Sequence, residues 1–315
     1  MRKLLQSPLL ACLAVLLAAR AIDAEDVSSY VRTRDVIYGR KAGLALTMDV
    51  VVPKEQPNGL GVLFVVSGGW RSHPGAIRPE MYAPFLRRGY TVFAVVHGTQ
   101  PKFTIPEILD DVHRAVRFIR FHAKEYHIDP DRLGITGGSA GGHLALMIGT
   151  AGAAGDPKAP DPVDRVSSRV QAVACFFPPT DFLNWGKDGA ILDCKNMDRR
   201  FRAAVDFHVF DWDQSIFQRV TDEKKVRELL HDISPISHVS RDDPPTLIIH
   251  GDKDNLVPLQ QSERMIAKLK EAGVPAHLIV KKDCGHGWLT ILKDTETLAD
   301  WFDRYLKMGP PRAAE

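Results

Sequence analysis

Short apolar runs with the character of buried strands alternate along this chain with longer segments whose apolar residues recur at helical spacing. That alternation constrains the fold more than any single motif. "LALTMDVVVP", "GVLFVVSGG", "YTVFAVVHG", "VQAVACFF", "PPTLIIHG" and "AHLIVKKD" read as strands, and "PEMYAPFLRRG" as a short helix. Ile105, Leu109, Val112, Val116 and Ile119 line one face of "TIPEILDDVHRAVRFIRFHAKEY", which predicts a long crossover helix. "LQQSERMIAKLKEAG", closed by Gly273, and "TETLADWFDRYLK" predict two more helices. The order implies an α/β fold: a mostly parallel sheet with helices on both faces. The 315 residues, 44% apolar and 25% charged, are enough for one generous domain. The interval from 182 to 233 breaks the rhythm, being too long for an ordinary connection between strands. Its mixed charge and several aromatics mark it as a cap-like insertion folding over the site.

The stretch "LGITGGSAGGHLALMIGT", Leu133 to Thr150, places a serine between glycines where a buried strand meets a helix. Gly137, Ser139 and Gly141 fit G-x-S-x-G, in which the serine occupies the strained apex of a strand-to-helix turn and its neighbours carry no side chains to clash. A hydroxyl placed so becomes a nucleophile only when a base takes its proton and a carboxylate orients that base. Both partners lie downstream. "LIIHGDKDNLVP" puts Asp252 and Asp254 just past one strand, and "VKKDCGHGW" puts His286 just past the last. Loops beyond the carboxyl ends of parallel strands are where such sheets bind ligands.

Charge excludes several other functions. Lys and Arg number 41 against 39 Asp and Glu, and no basic stripe with interleaved aromatics suggests a nucleic acid partner. The start, "MRKLLQSPLLACLAVLLAARAIDA", has a basic end, a short apolar run and small residues, the layout of a secretory signal over 1–24. Its apolar run is short for a bilayer span, so no membrane association is expected after cleavage, and the protein is expected to be secreted or periplasmic. The remainder, formally neutral, divides into a domain over 25–310, with the insertion at about 182–233, and a tail over 311–315. Cys175, Cys194 and Cys284 fit neither a disulfide framework nor a zinc motif. No metal, cofactor or dinucleotide fingerprint is implied, and the sequence specifies no oligomeric state.

"GGSAGGHLA", "SPISHVSRDDPPTLIIHGDKDNLVP" and "CGHGW" resemble the α/β-hydrolase branch that holds bacterial carboxylesterases of the acetyl-xylan and feruloyl esterase type. They also resemble the catalytic domain of prolyl oligopeptidases. The resemblance covers nearly the whole chain after the leader. It implies the α/β-hydrolase fold with Ser139 as nucleophile and His286 as base. In that family the acid lies in G-x-x-D-x-x-V-P, which maps onto Gly251, Asp254, Val257 and Pro258 and selects Asp254. Asp252 is then expected as a turn residue, bonding backbone two positions on. The resemblance further implies an oxyanion hole built from the Ala140 N–H and a second N–H, of Gly69 or Trp70, from "VVSGGWRSHPG". Where relatives read H-G-G-G or H-G-G-W, Ser67 replaces the histidine here.

His143, four residues beyond Ser139 on the same helix face, and His250, before a glycine turn, are expected to be structural. His97 ends a strand at the sheet edge carrying the site and is a candidate pocket residue. Trp288 and Trp70 are candidates either for an aromatic wall or for plain packing. Asp181 is a remote alternative acid, and Cys284 is a packing residue. The expected function is hydrolysis of a small-molecule or polysaccharide ester through an acyl-enzyme. The alternatives are a serine peptidase of the prolyl oligopeptidase type and a non-catalytic hydrolase-like binding protein. Only a short stretch precedes the first hydrolase strand, where prolyl oligopeptidases carry a propeller, and this favours esters.

Overall fold

The computed structural model describes residues 29–307, so the leader and the C-terminal tail of the sequence reading lie outside the described residues. Eight strands form the main sheet: β1 (Tyr30–Lys41), β2 (Leu44–Pro53), β3 (Gly61–Val66), β4 (Thr91–Val96), β5 (Leu133–Gly138), β6 (Ala172–Phe176), β9 (Thr246–Gly251) and β10 (Ala276–Lys281). Their spatial order is β1-β2-β4-β3-β5-β6-β9-β10. β2 runs antiparallel to both β1 and β4, and every pair from β4 to β10 is parallel. The remaining two strands, β7 (His208–Asp211) and β8 (Ile216–Arg219), form a separate antiparallel hairpin.

Alternate strand residues feed two apolar layers. Leu63, Val65, Phe93, Val95, Ile135, Val173 and Ile248 face one side, where helices α2 (Ile105–Phe121), α3 (Ala140–Ala151) and α5 (Leu259–Glu271) cover them. Val62, Val92, Ala94, Ala172, Ala174, Leu247 and Ile249 face the other, under α1 (Ala83–Arg87) and α6 (Ile291–Phe302). Helix α2 begins at a capping box formed by Thr104 and Glu107. Strand β1 was not anticipated. It is a half-exposed edge strand whose apolar residues are interrupted by Arg32, Arg34, Asp35 and Arg40, with two register shifts against β2, so it lacks the apolar run by which strands are read.

The long β6–β9 connection carries the β7–β8 hairpin and helix α4 (Glu223–Asp232). Phe182, Met197, Ala204, Val205, Phe207, Leu230 and Ile233 within it are buried in the same core as the sheet. The hairpin itself projects, with Trp212 84% and Phe217 72% exposed. Among the described residues no helix is long and apolar enough to cross a membrane, and no cluster of potential metal ligands is found.

Candidate active site

Ser139 stands between β5 and α3 at φ 54°, ψ −120°, a conformation that costs a residue with a side chain about 1–3 kcal/mol. Its backbone is held on both sides: the N–H donates to Phe176 O at 3.0 Å, and its carbonyl accepts from the His143 N–H at 2.9 Å. The flanking glycines are steric necessities. A Cβ on Gly137 would lie 2.5 Å from the Gly141 carbonyl carbon, and one on Gly141 would lie 2.7 Å from Val65 O.

The structure brings Ser139, His286 and Asp254 together from the ends of three strands. The Ser139 hydroxyl lies 2.9 Å from His286 Nε2, and His286 Nδ1 lies 2.7 Å from Asp254 Oδ2. Because Nδ1 faces a carboxylate it carries the proton, which leaves Nε2 free to accept from the serine. Asp254 Oδ1 accepts from the N–H groups of Leu256 and Val257, at 2.8 and 2.9 Å. The backbone-bonding turn residue is therefore Asp254 itself, whereas Asp252 is exposed. Lys253 N–H donates to Cys284 O at 2.8 Å, tying the acid loop to the histidine loop.

His250 is fully buried, as expected of a structural residue, but it also touches the acid. Its Nε2 lies 2.9 Å from Val257 O and 3.2 Å from Asp254 Oδ2. Both are acceptors, so this nitrogen bears the hydrogen, and Nδ1 accepts from the Ser262 hydroxyl at 2.7 Å. Burial alone would raise the Asp254 carboxyl, but hydrogen bonds from His250, His286 and the Val257 N–H outweigh it and hold the group well below the usual carboxylate range. The histidine's place four residues before Asp254 was the available signal. Phe177 carried none: at φ 34° it lays its ring against His286, with centroids 4.5 Å apart.

The loop after β3 has both Gly69 and Trp70 in the left-handed region, at φ 56° and 58°. Gly68 and Arg71 bond each other across it. Among the described residues, neither the Gly69 nor the Trp70 N–H donates a hydrogen bond. Ala140 is the first residue of α3, where an amide has no partner within the helix. Gly69, Trp70 and Ala140 thus offer backbone donors, and the helix N-terminus favours negative charge.

The Trp70 side chain settles as packing. It is 4% exposed, its Nε1 donates to His143 Nδ1 at 3.2 Å, and it meets Phe182 at 6.0 Å. His143 Nε2 in turn donates to Ile233 O at 2.7 Å. Burial pushes its imidazole down to about 4. One candidate for the pocket is corrected. His97 is only 3% exposed, with Nδ1 at its own neighbour's carbonyl, Gly98 O, because the strand end that carries it is covered by the loop at 66–72. Trp288 is half-buried, packs on Phe176 and on Phe177, the ring that lies against His286, and donates Nε1 to Asp294 at 2.5 Å. Asp181 accepts from Asn184 and the Leu183 N–H, while the carboxylate that His286 meets is Asp254. Cys175, Cys194 and Cys284 are all free thiols.

Residues 48–269 match the family model described as BD-FAE. The chain belongs to the BD-FAE family. A second model, Abhydrolase_4, described as TAP-like protein, matches residues 231–314. Two Mycobacterium tuberculosis proteins are similar to this BD-FAE chain. One, a probable carboxylic ester hydrolase, LipM, is 30% identical over 67% of this chain and 45% of its own length. The other, esterase LipQ, is 32% identical over 67% of this chain and 46% of its own. The chain therefore spans under half the length of these two curated relatives. A solved truncated form of a carbohydrate esterase from gut microbiota superposes with a TM-score of 0.72 at 26% identity, covering 88% of this chain and 96% of that one. The fold of this BD-FAE member is the α/β-hydrolase fold.

Proposed function

We propose that this protein is a secreted serine carboxylesterase that removes small acyl groups, acetyl above all, from carbohydrate esters. The observation that carries the reading is the unbroken hydrogen-bond relay from Ser139 through His286 to Asp254, starting at a strained serine on a helix N-terminus. In this reading Ser139 Oγ attacks the ester carbonyl while His286 Nε2 takes its proton, and Asp254 stabilises the imidazolium. The oxyanion meets the Ala140 N–H and the N–H of Gly69 or Trp70, and each such donor is worth about 3 to 4 kcal/mol in the transition state. His286 then protonates the departing alcohol, and water, activated by the same base, releases the acid. The reaction needs no metal or organic cofactor.

Two aromatic rings support a small acyl group. Phe201 packs directly on the Gly69 backbone, and Phe177 covers one face of His286. A sugar-borne ester is supported by the similarity to the gut carbohydrate esterase, and ester chemistry by LipM and LipQ. Export is supported by the composition of residues 1–24.

The test measures turnover of p-nitrophenyl acetate, butyrate and octanoate, of a peptide p-nitroanilide, and acetate release from acetylated xylan, with Ser139→Ala as control. Acetate hydrolysis that falls at least about 10³-fold in Ser139→Ala, and a rate declining with acyl length, is the expected result. Comparable amide cleavage would favour a peptidase. Full activity in folded Ser139→Ala would sink the mechanism.

A further inference from the structure

Gln100 is 2% exposed and lies in the loop after β4, about thirty residues along the chain from the Gly69–Trp70 pair it touches. Its side-chain Nε2 donates to Gly69 O at 3.0 Å and to Arg200 O at 2.8 Å, while its backbone N–H donates to Trp70 O at 3.0 Å. Both side-chain partners are carbonyls, so the nitrogen of the carboxamide must face them.

A trans peptide directs its C=O and N–H to opposite sides. Holding Gly69 O therefore turns the Trp70 N–H the other way, on the face of the loop opposite Gln100. The next peptide obeys the same rule: Trp70 O is held by Gln100, and the Arg71 N–H points away to Gly68 O. The brace is needed because Trp70, a bulky residue at φ 58°, occupies a conformation costing about 1–2 kcal/mol. Ser67 cannot supply it, since its Oγ is buried without a hydrogen-bond partner. The bond to Arg200 O links the brace to the inserted segment, whose next residue, Phe201, packs on Gly69.

We propose that Gln100 is a positioning residue that aims the Trp70 amide at the oxyanion and couples that amide to the inserted segment at residues 200 and 201. The proposal selects Trp70 over Gly69 as the second donor and rests on the esterase reading above. Ser67 interrupts the loop motif, and Gln100 restores its rigidity from the loop after β4.

The test compares wild type with Gln100→Met, which keeps the side-chain length and removes the donors. Three readouts are taken: kcat and KM for p-nitrophenyl acetate, inhibition by a trifluoromethyl ketone that forms a tetrahedral hemiketal with the serine, and hydrogen exchange of peptides spanning 67–72 and 198–203. We expect kcat about 10- to 100-fold lower with KM changed less than about threefold. The ketone should bind more weakly by the same factor as kcat/KM, and both peptides should exchange faster. If Gln100→Met does not fold, Gln100→Asn, too short to span both carbonyls, takes its place. In a folded variant, kcat and ketone affinity within twofold of wild type, or a rise in KM alone, would overturn the proposal. Wild type inactive on every ester would sink the esterase reading instead, and exchange would still judge Gln100: unchanged protection of either peptide refutes the coupling.

Discussion

Four donors converge on the Asp254 carboxylate: two backbone amides on one oxygen, and His286 with His250 on the other. A carboxylate so surrounded stays ionised and fixed in orientation, which is what a base-orienting group requires. His250 is the donor with most at stake, because it also satisfies Val257 O and the Ser262 hydroxyl inside the core. His250→Ala would leave both of those groups unpaired beside a cavity. It is expected to cost about 2–5 kcal/mol of stability, measured by urea unfolding, and to lower kcat about tenfold. His250→Gln, which retains a donor near Asp254, should recover part of the kcat. An unaltered kcat in folded His250→Ala would reduce the residue to packing. In the sequence this histidine read as a structural residue at a strand end, although its spacing of four from Asp254 was visible. That its ring turns back toward the acid depends on the chain reversing through Gly251, a long-range outcome.

The turn between β5 and α3 works because α3 lies directly against the neighbouring strand β3, the contact that excludes a side chain at Gly141. Gly141→Ala sets a methyl group against Val65 O, backbone against backbone, so neither element has a flexible atom to yield. We expect a loss of about 1–3 kcal/mol, read as a lower denaturation midpoint, and a fall in esterase activity as the α3 N-terminus shifts from Ser139. A variant equal to wild type in both would mean the helix can move outward freely. At this scale the strands, helices and glycine turn were legible, because each is written in a local period or a steric requirement. Strand β1 and the β7–β8 hairpin were not, since β1 is polar and both are held by pairing instead of burial.

Across the whole molecule, burial keeps His97 and His143 neutral. Desolvation pushes each down to about 4 from an ordinary 6.5, with Lys41 adding to the effect at His97. The sign follows from linkage. Below pH 6.5 the unfolded chain binds protons that these two folded histidines refuse, so their contribution is complete above about 6.5 and is lost as pH falls through 4. His113, also pushed down to about 4 by burial, adds to them, so stability by urea unfolding is expected to drop by several kcal/mol between pH 7.5 and pH 4.5, with up to three protons taken up by these histidines per unfolding event. A midpoint independent of pH across that window would contradict the burial of these rings. Asp254 acts in a lower window: its lowered pKa adds stability above the ordinary carboxylate range, lost only as pH falls further toward its folded value.

Local chemistry alone determined the α/β alternation, the nucleophile turn and the order serine, acid, histidine, because apolar period, glycine placement and loops after strands are properties of short segments. Tertiary structure decided the rest. It enclosed Asp254 with His250, set Phe177 on His286, drew the inserted segment into the main core and brought Gln100 against the Gly69–Trp70 backbone. Apart from the His250–Asp254 contact, which spans four residues and depends on the turn between them, each of these joins residues distant in sequence, and such a pairing leaves no periodic trace in the chain.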